Sequence, residues 1–244
     1  MSGHSKWSSI KHKKGALDAK RGKLFTKLSR DITLAAKTGD QAESNASLRL
    51  AIQKAKDANM PNANIDRAIK KASGADKTSQ LEEITYEGYG PGGSAIIVDA
   101  ITDNKNRTAS EVRLAFNRNN GSLGESGVVA WQFQIKGLLR IENFEGDLDA
   151  VQLAAIDSGA EDINIDNNNI EIITDASTLE NVRSQLTELS VSISSMEITR
   201  IADNLLEIEE NDVRQTIKLL EALDDLDDVS RVQSNIAIPD RILA

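Results

Sequence analysis

Residues 138–201 read LLRIENFEGDLDAVQLAAIDSGAEDINIDNNNIEIITDASTLENVRSQLTELSVSISSMEITRI, and the periodicity of this stretch decides the fold. Leu138–Glu142, Asp162–Ile165, Ile170–Thr174 and Ser194–Ile201 are short runs rich in β-branched and apolar residues, with the length of strands. Leu148, Val151 and Ala155, and then Leu179, Val182, Leu186 and Leu189, recur at helical steps and predict two helices between those strands. Asn167-Asn168-Asn169 is a turn between the two middle strands, and Ser177 with Glu180 has the spacing of a capping box. Strand, helix, strand, strand, helix, strand is the order of a ferredoxin-like unit.

Working outward, residues 81–137 offer strand, strand, helix, strand, which is one helix and one strand short of a second such unit. Ile84-Thr85-Tyr86 and Ala95–Ile101 are the first two strands, joined by GYGPGG. Thr108 and Glu111 suggest a capping box for a helix reaching Arg118, and Val128–Phe133 reads as the third strand. The missing pair lies at the far end, where a helix carries Val213, Ile217 and Leu220 and a strand spans Val229–Ile238. The expected organisation is therefore discontinuous: 81–137 with 202–244 as one α/β domain, and 138–201 inserted within it. A separate C-terminal hairpin would read similarly. Ahead of these, three helical patterns over 23–80 predict a compact bundle: Phe25, Leu28, Ile32 and Ala35; Leu48, Ala51, Ile52 and Ala55; Ile65, Ala68, Ile69 and Ala72. Residues 1–22 show no clean period and read as a basic arm. The fold class is α+β in three domains, a helical bundle and two ferredoxin-like units.

Charge divides the chain more sharply than hydropathy does. The first 37 residues hold ten Lys or Arg against Asp18 and Asp31 only. Residues 1–80 hold 17 basic and 7 acidic side chains, while residues 138–244 hold 7 and 24. The net charge of −9 hides a dipolar molecule that draws polyanions to one end and repels them from the other. Lys6, Lys11, Lys13, Lys14, Lys20, Arg21, Lys23 and Lys27 are concentrated in the arm and the first helix, with Trp7, His4 and His12 among them. Such a cluster neutralises phosphates with release of counterions, and Trp7 can stack on an unpaired base. Lys105 and Arg107 sit beside a helix N-terminus, where backbone N–H groups and the dipole favour an anion. Tyr86 and Tyr89 flank the glycine loop and are further stacking candidates.

The same inventory excludes much. A chain with no cysteine has no disulfide, thiolate metal site or cysteine nucleophile. The two histidines lack partners for a zinc site, and no GxSxG or HExxH occurs. GYGPGG is followed by a strand where a phosphate loop needs a helix, so it reads as a hairpin turn. Asp224–Asp228, DDLDD, reads as a solvated acidic turn, since adjacent carboxylates in one turn do not converge on a metal. No apolar run spans a bilayer and no secretory signal begins the chain. A non-enzymatic, cytoplasmic protein is expected, with no cofactor, no membrane and no small-molecule substrate.

GHSKW, IKHKK, DAKRGKLFTKL, ANMP, YEGYGPGG, TDNKNRT followed by SEVR, and LGESG before WQF all occur in order along the chain. Together they resemble the YebC family, which includes the mitochondrial translational activators of cytochrome c oxidase. The resemblance implies an N-terminal helical bundle and two α/β domains, the second discontinuous around the third. It implies nucleic-acid binding in control of gene expression, described for the family as DNA binding in transcription. The alternative it implies is a ribosome-associated RNA-binding factor that assists difficult nascent sequences such as proline runs. Carried onto this chain, Gly3–Trp7, Ile10–Lys14 and Asp18–Lys27 are the expected nucleic-acid contacts.

Overall fold

The computed structural model describes residues 18–73 and 81–242. It opens on three helices, α1 (Asp18–Ala36), α2 (Ala46–Asp57) and α3 (Asn62–Ser73). Their small apolar residues interlock: Leu28, Ile32 and Ala36 of α1 meet Leu48 and Ala55 of α2 and Ile65 and Ala68 of α3. Asn45 organises the first turn, because its side chain caps α2 by accepting from the Leu48 N–H at 3.0 Å. Its amide also donates to the Ala35 and Gly39 carbonyls at 2.8 and 2.7 Å. At the other end of α2, Asn59 takes a left-handed φ of 59° and the Met60 N–H reaches back to the Ala55 carbonyl. This is a Schellman end, with Pro61 next to prevent the helix continuing.

The strands β1 (Glu82–Tyr89), β2 (Ala95–Thr102), β3 (Ser122–Leu123) and β8 (Val229–Ser234) form an antiparallel sheet in the order β3-β1-β2-β8. Two helices, α4 (Lys105–Arg118) and α7 (Glu210–Asp224), cover one face through Val112, Phe116, Val213, Leu220 and Leu223. The second sheet contains β4 (Phe133–Ile141), β5 (Ala160–Asp166), β6 (Asn169–Asp175) and β7 (Ser195–Ala202), ordered β5-β6-β4-β7. Its helices are α5 (Leu148–Ser158) and α6 (Leu179–Glu188), packed on Leu139, Ile141, Ile170 and Ile172. This second order is that of the ferredoxin-like unit. The first sheet shares the layer plan of four antiparallel strands and two helices, but its central pair is the sequential β1–β2 hairpin.

β2 is buried along its whole length, on both faces. Ile96, Val98 and Ala100 point to the helices, whereas Ala95 and Ile97 pack against Val129 and Phe133 at the entrance to the second sheet. Three expected details change. Val128–Phe133 is no strand: a short 3-10 turn occupies Ala130–Gln132, and Phe133 starts β4, so β4 begins five residues earlier than its pattern suggests. α4 starts at Lys105 with Asn104 as its cap, whose side chain accepts from the Arg107 N–H at 3.1 Å. Thr108 is thus inside the helix, where its hydroxyl serves a buried carboxylate. Ser177 caps nothing, because its hydroxyl and N–H both go to Asp175. The GYGPGG segment is the β1–β2 turn, with Gly92 and Gly93 at φ of 66° and 77°. Gly88 permits a close crossing; a Cβ there lies 2.5 Å from the Ser122 carbonyl and 2.8 Å from the Phe116 ring.

Candidate nucleic-acid interface

Lys23, Lys27 and Arg30 fall four and three residues apart, so they share one face of α1. That face meets the C-terminal end of α7 and the acidic turn after it. Lys23 Nζ donates to the Asp225 carbonyl at 3.2 Å and lies 3.7 Å from the Asp227 carboxylate. Lys27 Nζ donates to the Asp224 carbonyl and is 3.9 Å from that residue's carboxylate. Arg30 Nη1 donates to the Asp227 carbonyl and pairs with Asp228 Oδ1 at 2.8 Å. Cations at a helix C-terminus are favoured by its unpaired carbonyls and its dipole.

The expectation that DDLDD is solvated holds least for Asp228, which is only 3% exposed. Its Oδ2 accepts from Arg107 Nη2 at 2.7 Å, Arg107 Nε at 3.2 Å, Thr108 Oγ1 at 2.7 Å and Thr102 Oγ1 at 3.1 Å. Burial disfavours the charge, but hydrogen bonds from Arg107 and Thr108, the nearby Arg30 and the Thr102 hydroxyl outweigh it and hold this carboxyl below its ordinary range. The same hydrogen bonds from Asp228 and Asp103 raise the Arg107 guanidinium further. The anion that meets Arg107 is therefore one of the chain's own carboxylates. Lys105, at the start of the same helix, pairs with Glu82 at 2.5 Å across a largely exposed surface.

The residues singled out in the sequence thus divide. Lys6, Trp7, Lys11, His12, Lys13 and Lys14 lie outside the described residues. Lys20 falls within α1, and Arg21 is exposed on it. Lys23, Lys27 and Arg107 are brought together around one acidic turn, and Arg30, absent from the expected set, completes the group. Its signal was visible as the third member of an i, i+4, i+7 stripe. Tyr86 is half-buried, with its hydroxyl donating to the Lys105 carbonyl at 3.4 Å. Burial, with Asp228 nearby, pushes that phenol up.

A second organised element escaped the sequence. Glu87 is buried, and its carboxylate accepts the N–H groups of Gly127, Val129 and Ala130 at 2.7, 2.9 and 2.8 Å. Burial raises the energy of this charge, yet the three N–H groups and Arg200 leave its carboxyl lowered. YEGYG and LGESG are coupled by this contact: one supplies the carboxylate that shapes the other. The loop so fixed displays Trp131, 73% exposed, whose Nε1 donates to the Val128 carbonyl at 3.2 Å. Tyr89 donates to the same carbonyl at 3.2 Å, so both rings are held beside it.

The face of the second sheet turned away from its helices carries Asp162, Glu171, Asp175 and Glu197 around Lys136 and Arg140. Lys136 is tied to Glu161 at 2.7 Å, and Arg140 to Glu171 and Glu197 at 3.6 and 3.5 Å. It holds no aromatic side chain, so it offers neither the charge nor the stacking surface that a base-binding sheet requires. Among the described residues no three His, Asp or Glu are placed to hold a metal ion, and no helix is long and apolar enough to cross a membrane.

Residues 5–75 match the family described as TACO1/YebC protein N-terminal domain, and residues 81–236 match the TACO1/YebC second and third domain. A probable transcriptional regulatory protein of Natranaerobius thermophilus is 51% identical, the match covering 100% of this chain and 99% of that one. A protein so described from Desulfosudis oleivorans is 49% identical, over 99% of each chain. The crystal structure of a conserved hypothetical protein from Aquifex aeolicus superposes with a TM-score of 0.85 at 44% identity, covering 93% of this chain and 94% of that one. With both family segments in order along nearly the whole length, the chain belongs to the TACO1/YebC family.

Proposed function

We propose that the protein is a non-enzymatic, cytoplasmic regulator of gene expression that binds nucleic acid through its basic N-terminal region. One observation carries this reading: ten Lys or Arg against two Asp in the first 37 residues of a chain with net charge −9. The acidic open face of the second sheet supports it from the other side, because it directs a polyanion toward the bundle. The relatives' description as probable transcriptional regulatory proteins favours DNA as the target. So does the bundle, in which α2 and α3 are joined by the four residues 58–61 and α3 exposes Asn62, Arg67, Lys70 and Lys71. A short turn between two helices, the second presenting polar residues, suits insertion into a groove.

A second reading is a ribosome-associated RNA-binding translation factor. The observation that favours it is Trp7 set among lysines with no acidic residue before Asp18, a pattern suited to unpaired bases and irregular backbones. Crosslinking in cells, with sequencing of both RNA and DNA that copurify, separates the two. Discrete promoter peaks without RNA enrichment support the transcriptional reading, and enrichment of ribosomal or messenger RNA supports the translational one. Recovery of neither removes the proposed function.

A further inference from the structure

We infer that the acidic turn Asp224–Asp228 is an internal phosphate mimic, a clasp that occupies the basic face of α1 until a nucleic-acid backbone displaces its outer half. This rests on the proposed nucleic-acid reading and adds a regulation to it. The contact is graded along α1. Lys23 and Asp227, the pair closest to the basic arm, have side chains 54% and 66% exposed and sit 3.7 Å apart. An exposed pair of this kind is screened by water and salt and is held by little more than a few tenths of a kcal/mol, roughly the surface-pair value. Lys27 and Asp224 are largely buried, as is Arg30 against Asp228. Asp228 is in turn fixed by Arg107, Thr108 and Thr102 on the sheet domain.

The two ends of the clasp therefore do different work. Arg30 and Asp228 form an anchor that keeps the bundle on the sheet domain. Lys23 and Asp227 form a latch whose carboxylate takes the place a phosphodiester oxygen would take. The geometry has the right polarity for this. α1 continues directly from the sequence that holds Lys6, Lys11, Lys13 and Lys14, so a backbone engaged by those residues runs next onto Arg21 and Lys23. Arg21 is exposed, and Lys23 becomes available once Asp227 lets go. The latch lowers affinity for weakly bound polyanions and adds a contact only for a strand long enough to reach α1.

The test uses the full chain carrying Asp225→Asn with Asp227→Asn, which keeps side-chain shape and both backbone carbonyls while removing the charges. Binding to a short single-stranded RNA and to a short DNA duplex is followed by fluorescence anisotropy across a salt series. The variant is expected to bind several-fold more tightly at low salt. Its log–log salt slope should steepen by about 0.7 on the single strand or about 0.9 on the duplex for the one lysine released. Adding Lys23→Ala to the variant should return the slope to the parent value. A gain that persists without Lys23 reflects bulk charge and overturns the latch, as does an unchanged slope in a parent chain that binds. A parent chain that binds neither probe overturns the nucleic-acid reading itself. The probe that responds identifies whether RNA or DNA is the backbone recognised.

Discussion

The two sheets have the same number of strands and helices, yet they treat their carboxylates in opposite ways. In the first, Glu87, Asp99 and Asp228 are all buried, and each has donors from a separate element: three loop N–H groups, Thr85 with Arg200, and Arg107 with Arg30. In the second, Asp162 and Asp175 stand exposed on the open face, and only Glu171 is buried, against Arg140. The difference follows from what each sheet touches. The first is packed on both faces, by its helices on one side and by Val129 and Phe133 on the other. A charge on either face must therefore be paired. The second leaves most of one face to water, where an unpaired carboxylate costs nothing. Burial, more than local sequence, decides which acidic residue holds the molecule together.

Asp228→Ala is the largest expected break in that contrast. It leaves Arg107 and Arg30 facing a buried gap and should cost about 3–5 kcal/mol in urea unfolding, against about 0.5 kcal/mol or less for Asp162→Ala. The same carboxyl gives the contrast a pH signature. Asp228 and Glu87 are both held below their ordinary range in the folded chain. Their contribution is thus complete above the unfolded values of about 4 and is lost as pH falls through the lower folded ones. The urea midpoint should be flat near neutrality and fall below about pH 4, and Asp228→Asn should flatten part of that fall.

Glu87→Gln comes next, at about 2–3 kcal/mol, because an amide accepts fewer of the three loop N–H groups and adds a donor with no partner. In a Trp7→Phe background, Trp131 reports the loop directly: its fluorescence anisotropy should drop if Glu87 holds it. Replacing Lys11, Lys13 and Lys14 with Ala should weaken nucleic-acid binding by about tenfold or more, near 1.4 kcal/mol, with the salt slope falling by about one unit per lost contact. Smallest of all, Lys136→Ala on the open sheet should change stability by about 1 kcal/mol at most and leave nucleic-acid binding where it was. A sizeable loss of binding there would give the second sheet a role its charges argue against.

The helices and most strands were legible because each buries one face and keeps its period: Leu28, Ile32 and Ala36, or Leu179, Val182 and Leu186. The discontinuous first sheet was legible by counting, as a strand and a helix were missing in one place and spare in another. The partners of Asp228 were not. Thr102, Arg107 and Thr108 lie more than a hundred residues away in sequence, and a run of four aspartates gives no sign of which one turns inward. Glu87 was hidden by its own alternation. On β1 the helix-facing positions are Ile84, Tyr86 and Gly88, so Glu87 reads as a solvent residue until the second face proves to be covered. The start of α4 was misplaced because Asn104 and Thr108 are both good caps, and only the demand of Asp228 for a hydroxyl separates them.

In the second sheet Phe133 sits opposite Ala202, so the inserted segment enters and leaves its host at one point. In the first, Ile96 must wait for Ser234. During synthesis the insert can close on contacts that are all its own, while the β1–β2 hairpin emerges early and stays without its neighbour until nearly the last residues have been made. The first sheet has the higher contact order and the later birth. Its exposed strand edge in the interim is the part of this chain most dependent on an orderly exit from the ribosome.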